Sequence, residues 1–130
     1  MMKNQKGFTL IEVIAVLVIL GILAAVAAPR YVALVQEAKI SAAQAEIAEM
    51  KSTLSLAYAR LFISTGIAPT TGLSVLEEAG FADATAENVG AAPDVWSVTL
   101  TGSGASVLIS VNNRNGDNEY TASGSWNMPS

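Results

Sequence analysis

Residues 8–28 read FTLIEVIAVLVILGILAAVAA and decide the fold, because this stretch contains a single charged side chain, Glu12. A helix of these 21 residues would rise about 30 Å, the thickness of the hydrocarbon core of a bilayer. Lys3 and Lys6 precede the stretch. Because basic residues favour the cytoplasmic side, this end is predicted to stay cytoplasmic. The sequence therefore predicts one membrane-spanning helix near the N-terminus.

Glu12 separates the interpretations of this helix. A cleaved secretory signal peptide, with a small-residue site at residues 25–27, and a plain single-pass anchor both explain the apolar stretch. A carboxylate at the start of an apolar helix is costly unless it is paired, and neither a signal peptide nor an anchor gains from it. The carboxylate therefore favours a helix with a further role.

The sequence around this carboxylate resembles a known processing site. Residues 6–13, KGFTLIEV, resemble the site in type IV pilins and type II secretion pseudopilins, and the similarity continues to Pro29. Residues 28–31, APRY, are similar to the mannose-sensitive haemagglutinin type of pilin. The resemblance implies that a membrane-embedded prepilin peptidase cuts between Gly7 and Phe8. It also implies that the new amine of Phe8 is methylated.

The resemblance also assigns an assembly role to the two ends of the first helical turn. Glu12 is expected to pair with the Phe8 amine of a neighbouring subunit in a filament. An unpaired charge in a filament core is far less favourable than a paired one. The partners implied are further copies of the chain in a helical homopolymer, the prepilin peptidase, and a pilus assembly platform in the inner membrane.

Gly21 and Pro29 are expected to weaken the apolar helix. Relative to Ala, Gly costs about 1 kcal/mol in a helix interior and Pro about 3 kcal/mol. Two interpretations remain open at these positions. One is a kink of the kind that membrane helices tolerate, and the other is a stretch that unwinds when a subunit enters the filament.

The rest of the chain predicts a small domain behind the helix. Residues 30–65 continue the helix in amphipathic form, with an apolar stripe from Ile47 to Leu61 and charged residues such as Glu46 on a solvated or inter-subunit face. Residues 66–93 are predicted to be a connecting loop with one short helix, Leu73 to Ala79, ended by Gly80. Residues 94–130 predict an antiparallel meander of three strands, at 95–101, 105–112 and 119–126.

The fold class is therefore α+β and pilin-like. A long N-terminal helix packs on a small three-stranded antiparallel sheet. The predicted order is a leader at residues 1–7, a membrane or filament-core helix at 8–29, the amphipathic helix at 30–65, the loop at 66–93 and the meander at 94–130.

An oxygen-rich cluster lies between the last two predicted strands. It contains Asn113, Asn115, Asp117 and Glu119 around Gly116. Some pseudopilins hold calcium in a C-terminal loop, so these residues are weak calcium candidates by resemblance. Their spacing does not match an EF-hand, and a polar hairpin turn explains them equally well. We predict no metal and no cofactor.

Composition excludes several classes of function. The chain has no Cys and no His, which rules out disulfides, thiolate zinc sites and His-dependent catalytic triads. A net charge of −4 argues against contact with nucleic acid. We predict a structural subunit of a type IV pilus-like surface filament, not an enzyme. The precursor would lie in the inner membrane, and the filament would be extracellular or periplasmic.

Two alternatives remain open at this stage. One is a pseudopilin of a type II secretion system or a minor pilin. The other, of a different class, is a secreted binding domain with a cleaved signal peptide. Adhesion, motility or secretion would then be a role of the filament, not of the single subunit.

Overall fold

The computed structural model describes residues 7–130, so Lys3, Lys6 and most of the predicted leader lie outside the described residues. The described chain contains two helices, α1 (Leu10–Thr65) and α2 (Gly72–Ala79). It also contains four strands, β1 (Ala86–Ala91), β2 (Asp94–Ser103), β3 (Ser106–Arg114) and β4 (Ala122–Asn127). The chain divides into two compact units at residues 36 and 37.

The first unit is an apolar helix without a core of its own. Every side chain from residue 7 to residue 36 is exposed, including large apolar ones such as Leu10 and Ile11. In the described chain, α1 is the one helix that is long and apolar enough to cross a membrane. It passes through Pro29 without a break, although a proline cannot donate a backbone hydrogen bond to the preceding turn.

The second unit packs the later part of α1 on the sheet. The predicted apolar stripe is buried at Ile47, Met50, Leu54 and Ala57. Opposite it, β2, β3 and β4 bury the inward side chains of their alternating pattern, namely Trp96, Val98, Leu100, Val107, Ile109, Val111 and Trp126. The predicted α+β class, a long helix packed on an antiparallel sheet, is confirmed.

The sheet has four strands in the order β1-β2-β3-β4, and all neighbours are antiparallel. The prediction of three strands was therefore wrong. The missed strand, β1, lies in the segment that we predicted to be a connecting loop. Its sequence, AENVGA, contains one strong strand former, Val89, and its residues are mostly exposed. It forms because each of its six residues pairs with a residue of the neighbouring strand β2.

The short helix α2 begins at Gly72, one residue before the predicted start at Leu73, and ends at Ala79 before the predicted C-cap residue Gly80. The Thr71 side chain accepts a hydrogen bond from the Ser74 N–H at the start. Gly80 ends the helix in the left-handed conformation, with φ of 86°. The first residue of α2, Gly72, lies against the β2–β3 hairpin, where its N–H donates to the Gly104 carbonyl oxygen at 2.7 Å.

Glu46 differs from the prediction of a solvated charged face. Its side chain is only 7% exposed and lies among the buried residues of α1. Desolvation raises the pKa of its carboxyl, and the negative charges of Glu49 and Asp94 raise it further. The helical period places position 46 beside Ile47 and Met50 on the packed side of α1. The side chain of Glu46 is therefore buried although it is polar.

Candidate functional site

The predicted cleavage point lies in the short segment before α1. Gly7 and Phe8 have no regular secondary structure, and the Phe8 side chain is 90% exposed. A Cβ placed on Gly7 would meet no other atom within 4 Å. The bond between these residues is therefore open on the folded chain, as a protease substrate requires. A larger side chain would fit at position 7, so packing within the chain does not require a glycine there.

Glu12 has a partner at the start of its own helix. Its carboxylate oxygen accepts a hydrogen bond from the Thr9 backbone N–H at 2.9 Å. In return the Thr9 hydroxyl accepts one from the Glu12 backbone N–H at 3.4 Å. This reciprocal pair is a capping box, which satisfies two backbone donors that a helix start leaves free.

The capping box adds a reason for Glu12 that our sequence reasoning missed. From the sequence, the carboxylate is explained by the Phe8 amine alone. The signal was present, because a threonine followed three residues later by a glutamate before an apolar run is the pattern of a capping box. The two roles are compatible, since a carboxylate has two oxygens and about four acceptor positions.

Phe8, which precedes α1, and Glu12, in its first turn, border the same surface depression. Together with Val13, Val16 and Leu17 they line an open, almost wholly apolar depression on the first unit. Glu12 is the charged residue among these five lining residues, and its carboxylate is bonded to the Thr9 N–H. An exposed apolar surface of this kind is typical of a contact with another apolar surface.

The helix-weakening residues Gly21 and Pro29 both lie inside α1. A Cβ on Gly21 would meet nothing within 4 Å, so close packing within the chain does not require glycine there. Their predicted role in kinking or unwinding stays a prediction.

The four calcium candidates lie in one region of the second unit, but their oxygens have other partners. The Lys39 Nζ of α1 donates to Asp117 Oδ2 at 2.7 Å and to Glu119 Oε2 at 2.5 Å. Asn115 Oδ1 accepts from the Val95 N–H at 2.9 Å. Asn113 Oδ1 accepts from the Gly116 N–H at 3.3 Å.

This arrangement does not fit calcium, which takes six to eight oxygen ligands. A positive ammonium lies where a cation would sit, and both amide oxygens are bonded to backbone N–H groups. Within residues 7–130 no cluster of three or more acidic side chains is placed to hold a metal ion. Sequence reasoning missed Lys39, because 78 residues separate it from Asp117 and no local pattern links them.

Comparison with known proteins agrees with the N-terminal features. Residues 2–28 match the family described as the prokaryotic N-terminal methylation motif. A fimbrial protein of Pseudomonas aeruginosa is 45% identical over 51 residues, which cover 39% of this chain and 33% of that protein. The type II secretion system core protein G of Pseudomonas aeruginosa is 41% identical over 54 residues, covering 42% and 38%.

A third relative extends the range of organisms. The type IV narrow pilus major component PilA5 of Thermus thermophilus is 44% identical over 54 residues, covering 42% of this chain and 47% of that protein. The match thus spans between a third and a half of the length of these relatives. No solved structure matches the chain. In its methylation motif and its apolar helix, the N-terminal region of the chain is thus similar to the N-terminal regions of type IV pilins and of a type II secretion core protein.

Proposed function

We propose that this protein is a structural subunit of a type IV pilus-like surface filament. One observation carries the proposal. The open Gly7–Phe8 bond lies within the methylation motif, just before the part of α1 whose side chains are all exposed, up to residue 36. Prepilin peptidase cuts this bond and methylates the Phe8 amine. The subunit acts by assembly, and we expect no catalytic activity from it.

The exposed helix explains both locations of the protein. Before assembly its apolar side chains lie in the inner membrane as a single span, with the N-terminus cytoplasmic. In the filament, which is extracellular or periplasmic, the same side chains pack against those of other copies. An assembly platform in the inner membrane transfers the subunit between the two environments. Glu12 then pairs with the Phe8 amine of a neighbouring copy.

A pseudopilin or minor pilin is the second candidate. The similarity to a type II secretion core protein favours this candidate, because 54 residues of the chain are 41% identical to that protein. The two candidates differ in where the protein accumulates. A major pilin is abundant in filaments sheared from the cell surface, whereas a pseudopilin or minor pilin is scarce there.

A secreted binding domain with a cleaved signal peptide is the candidate of a different class. N-terminal sequencing of the mature protein separates it from the other two. A first residue of Phe8 supports a filament subunit of either kind, and a first residue near Ala28 supports a secreted domain.

Processing gives the test of the proposal. Gly7→Val adds bulk beside the scissile bond and should leave uncut precursor in the inner membrane, detected as a slower band on a gel. Gly21→Val is the matched control, since neither glycine has a neighbour within 4 Å of its Cβ position. This control should be cut normally. Normal mature protein from Gly7→Val in filaments would refute the prepilin assignment.

A further inference from the structure

The C-terminal loop, residues 115–121, joins β3 to β4 and carries two carboxylates that face one ammonium. Lys39 reaches Asp117 and Glu119 from α1, and its side chain is only 18% exposed although it bears a full charge. The lysine also lies 5.2 Å from the centre of the Tyr120 ring. A single side chain of the helix thus contacts three side chains of the loop, those of Asp117, Glu119 and Tyr120.

The two ends of the loop are held by contacts that do not involve Lys39. At the start, the Asn115 side-chain amide donates to the Pro93 carbonyl oxygen at 2.8 Å. Arg114 lies over the rings of Trp96 and Tyr120 and pairs with Asp94. The middle of the loop differs, because its other hydrogen bonds stay within the turn, such as Glu119 N–H to Asp117 Oδ1 at 3.0 Å.

We propose that Lys39 is the internal counter-ion that holds the C-terminal loop on α1, so that the loop is closed by neither a metal ion nor a disulfide. The donor set supports an ammonium over a divalent cation. Two carboxylate oxygens suit the N–H donors of a lysine, and the amide oxygens that would complete a calcium shell are bonded elsewhere. The chain has no cysteine for a covalent closure.

The electrostatic effects agree with this geometry. The hydrogen bond from Lys39 holds the pKa of the Asp117 carboxyl below its usual range. The same contact, together with the one to Glu119, raises the pKa of the Lys39 ammonium. Single exposed ion pairs contribute little, but one ammonium shared by two carboxylates forms a small network, which is the arrangement expected to matter.

Hydrogen exchange of the full chain in detergent micelles tests the proposal. Lys39→Met keeps the aliphatic stem and removes the charge. It should speed amide exchange of residues 115–121 by about fivefold or more. Exchange in β2 and β3 should stay unchanged. Lys51→Met is the control, because this lysine lies on the same helix and has no ion pair in the described chain.

The unmodified protein gives the second measurement. Addition of millimolar Ca²⁺ or of a chelator should leave both its melting temperature and the exchange of the loop unchanged. Asp117→Asn should speed loop exchange as Lys39→Met does. The two changes together should add little, because they break the same contact.

Three outcomes overturn the proposal. The first is loop protection by Ca²⁺ in the unmodified protein, which would make a metal the true counter-ion. The second is unchanged loop exchange in both Lys39→Met and Asp117→Asn. The third is equal acceleration by Lys51→Met, which would show a general effect of lost charge on the helix. None of these measurements depends on filament formation, so the proposed function stands or fails separately.

Discussion

At the scale of single residues, Glu12 has one partner within the described chain and a second one only in the proposed filament. Within one chain it closes the first turn of α1 through Thr9. In a filament it would also meet the ammonium of a neighbouring Phe8. A neutral side chain of the same shape can do the first task, because glutamine replaces glutamate in a capping box. Only a carboxylate can do the second.

Two substitutions of Glu12 therefore separate the cap from the charge. Glu12→Gln keeps the capping hydrogen bond and removes the charge, and Glu12→Leu removes both. Both variants should insert into the membrane, since the segment becomes no more polar. Both should lose most filament yield, measured as pilin in the sheared surface fraction against total pilin, because the Phe8 amine lacks a carboxylate.

Thr9→Ala supplies the control. It keeps the carboxylate and removes the hydroxyl that caps the helix, a change that costs about 1 kcal/mol of helix stability. It should leave filament yield closer to normal than either Glu12 variant does. Normal assembly of Glu12→Gln together with failure of Thr9→Ala would show that the carboxylate acts through the cap alone.

At the scale of elements, glycine allows α2 to dock on the β2–β3 hairpin. A Cβ on Gly72 would lie 2.3 Å from the Ser106 carbonyl oxygen. On the other side of the contact, a Cβ on Gly102 would lie 3.0 Å from the Leu73 backbone nitrogen. Two backbones thus approach each other with no side chain between them, and Val75 and Leu76 of α2 are buried in the core.

Gly72→Ala should consequently destabilise the second unit by about 2 kcal/mol, since the added methyl meets backbone that cannot move aside easily. Thermal unfolding of the full chain in micelles, followed by circular dichroism, measures the effect. Gly21→Ala is the matched control, because its new methyl meets nothing within 4 Å. Equal melting temperatures for the two variants would mean that the hairpin shifts without cost.

The same elements show what sequence could and could not predict. Apolar periodicity identified the stripe on α1, and alternation identified the inward faces of β2 and β3, because burial controls both patterns. The edge strand β1 was not predicted, since its pairing depends on the neighbouring strand β2 more than on its own residues. The ion pairs of Lys39 were not predicted, because only tertiary folding brings its ammonium to residues 117 and 119. The capping box was readable and was overlooked.

At the scale of the whole molecule, the chain combines two kinds of surface. The first unit exposes apolar side chains all round, from Phe8 to Val35. The second unit has an apolar core between α1 and the sheet, although single large apolar side chains such as Ile63 and Ile67 stay exposed, and its ion pairs lie within the unit itself. In the proposed filament, assembly would therefore draw its main free energy from the first unit, at about 25 cal/mol for each Å² of apolar surface removed from water.

A filament of this protein should for this reason resist salt and dissolve in detergent. Molar salt screens charge pairs that contribute about 1 kcal/mol or less each, and it leaves apolar burial intact. A mild detergent offers the apolar helix another environment. Sheared filaments incubated in each solution and then sedimented give the assembled fraction.

The opposite pattern would contradict this account. Filaments that dissolve in salt and survive detergent would be held by charged faces of the second unit. Filaments of Lys39→Met supply a control. The ion pairs of Lys39 lie within one chain, so this variant should respond to salt as the unmodified filament does.

The placement of the aromatic residues has a practical consequence. The chain has two tryptophans, Trp96 and Trp126, and both are nearly buried in the second unit. The Trp126 indole N–H donates to the Ser55 hydroxyl at 2.9 Å, and its ring meets Tyr58 edge to face. The apolar helix contains no tryptophan. Intrinsic fluorescence excited at the indole band thus reports on the second unit alone, and its folding can be followed without a label in membranes, micelles or filaments.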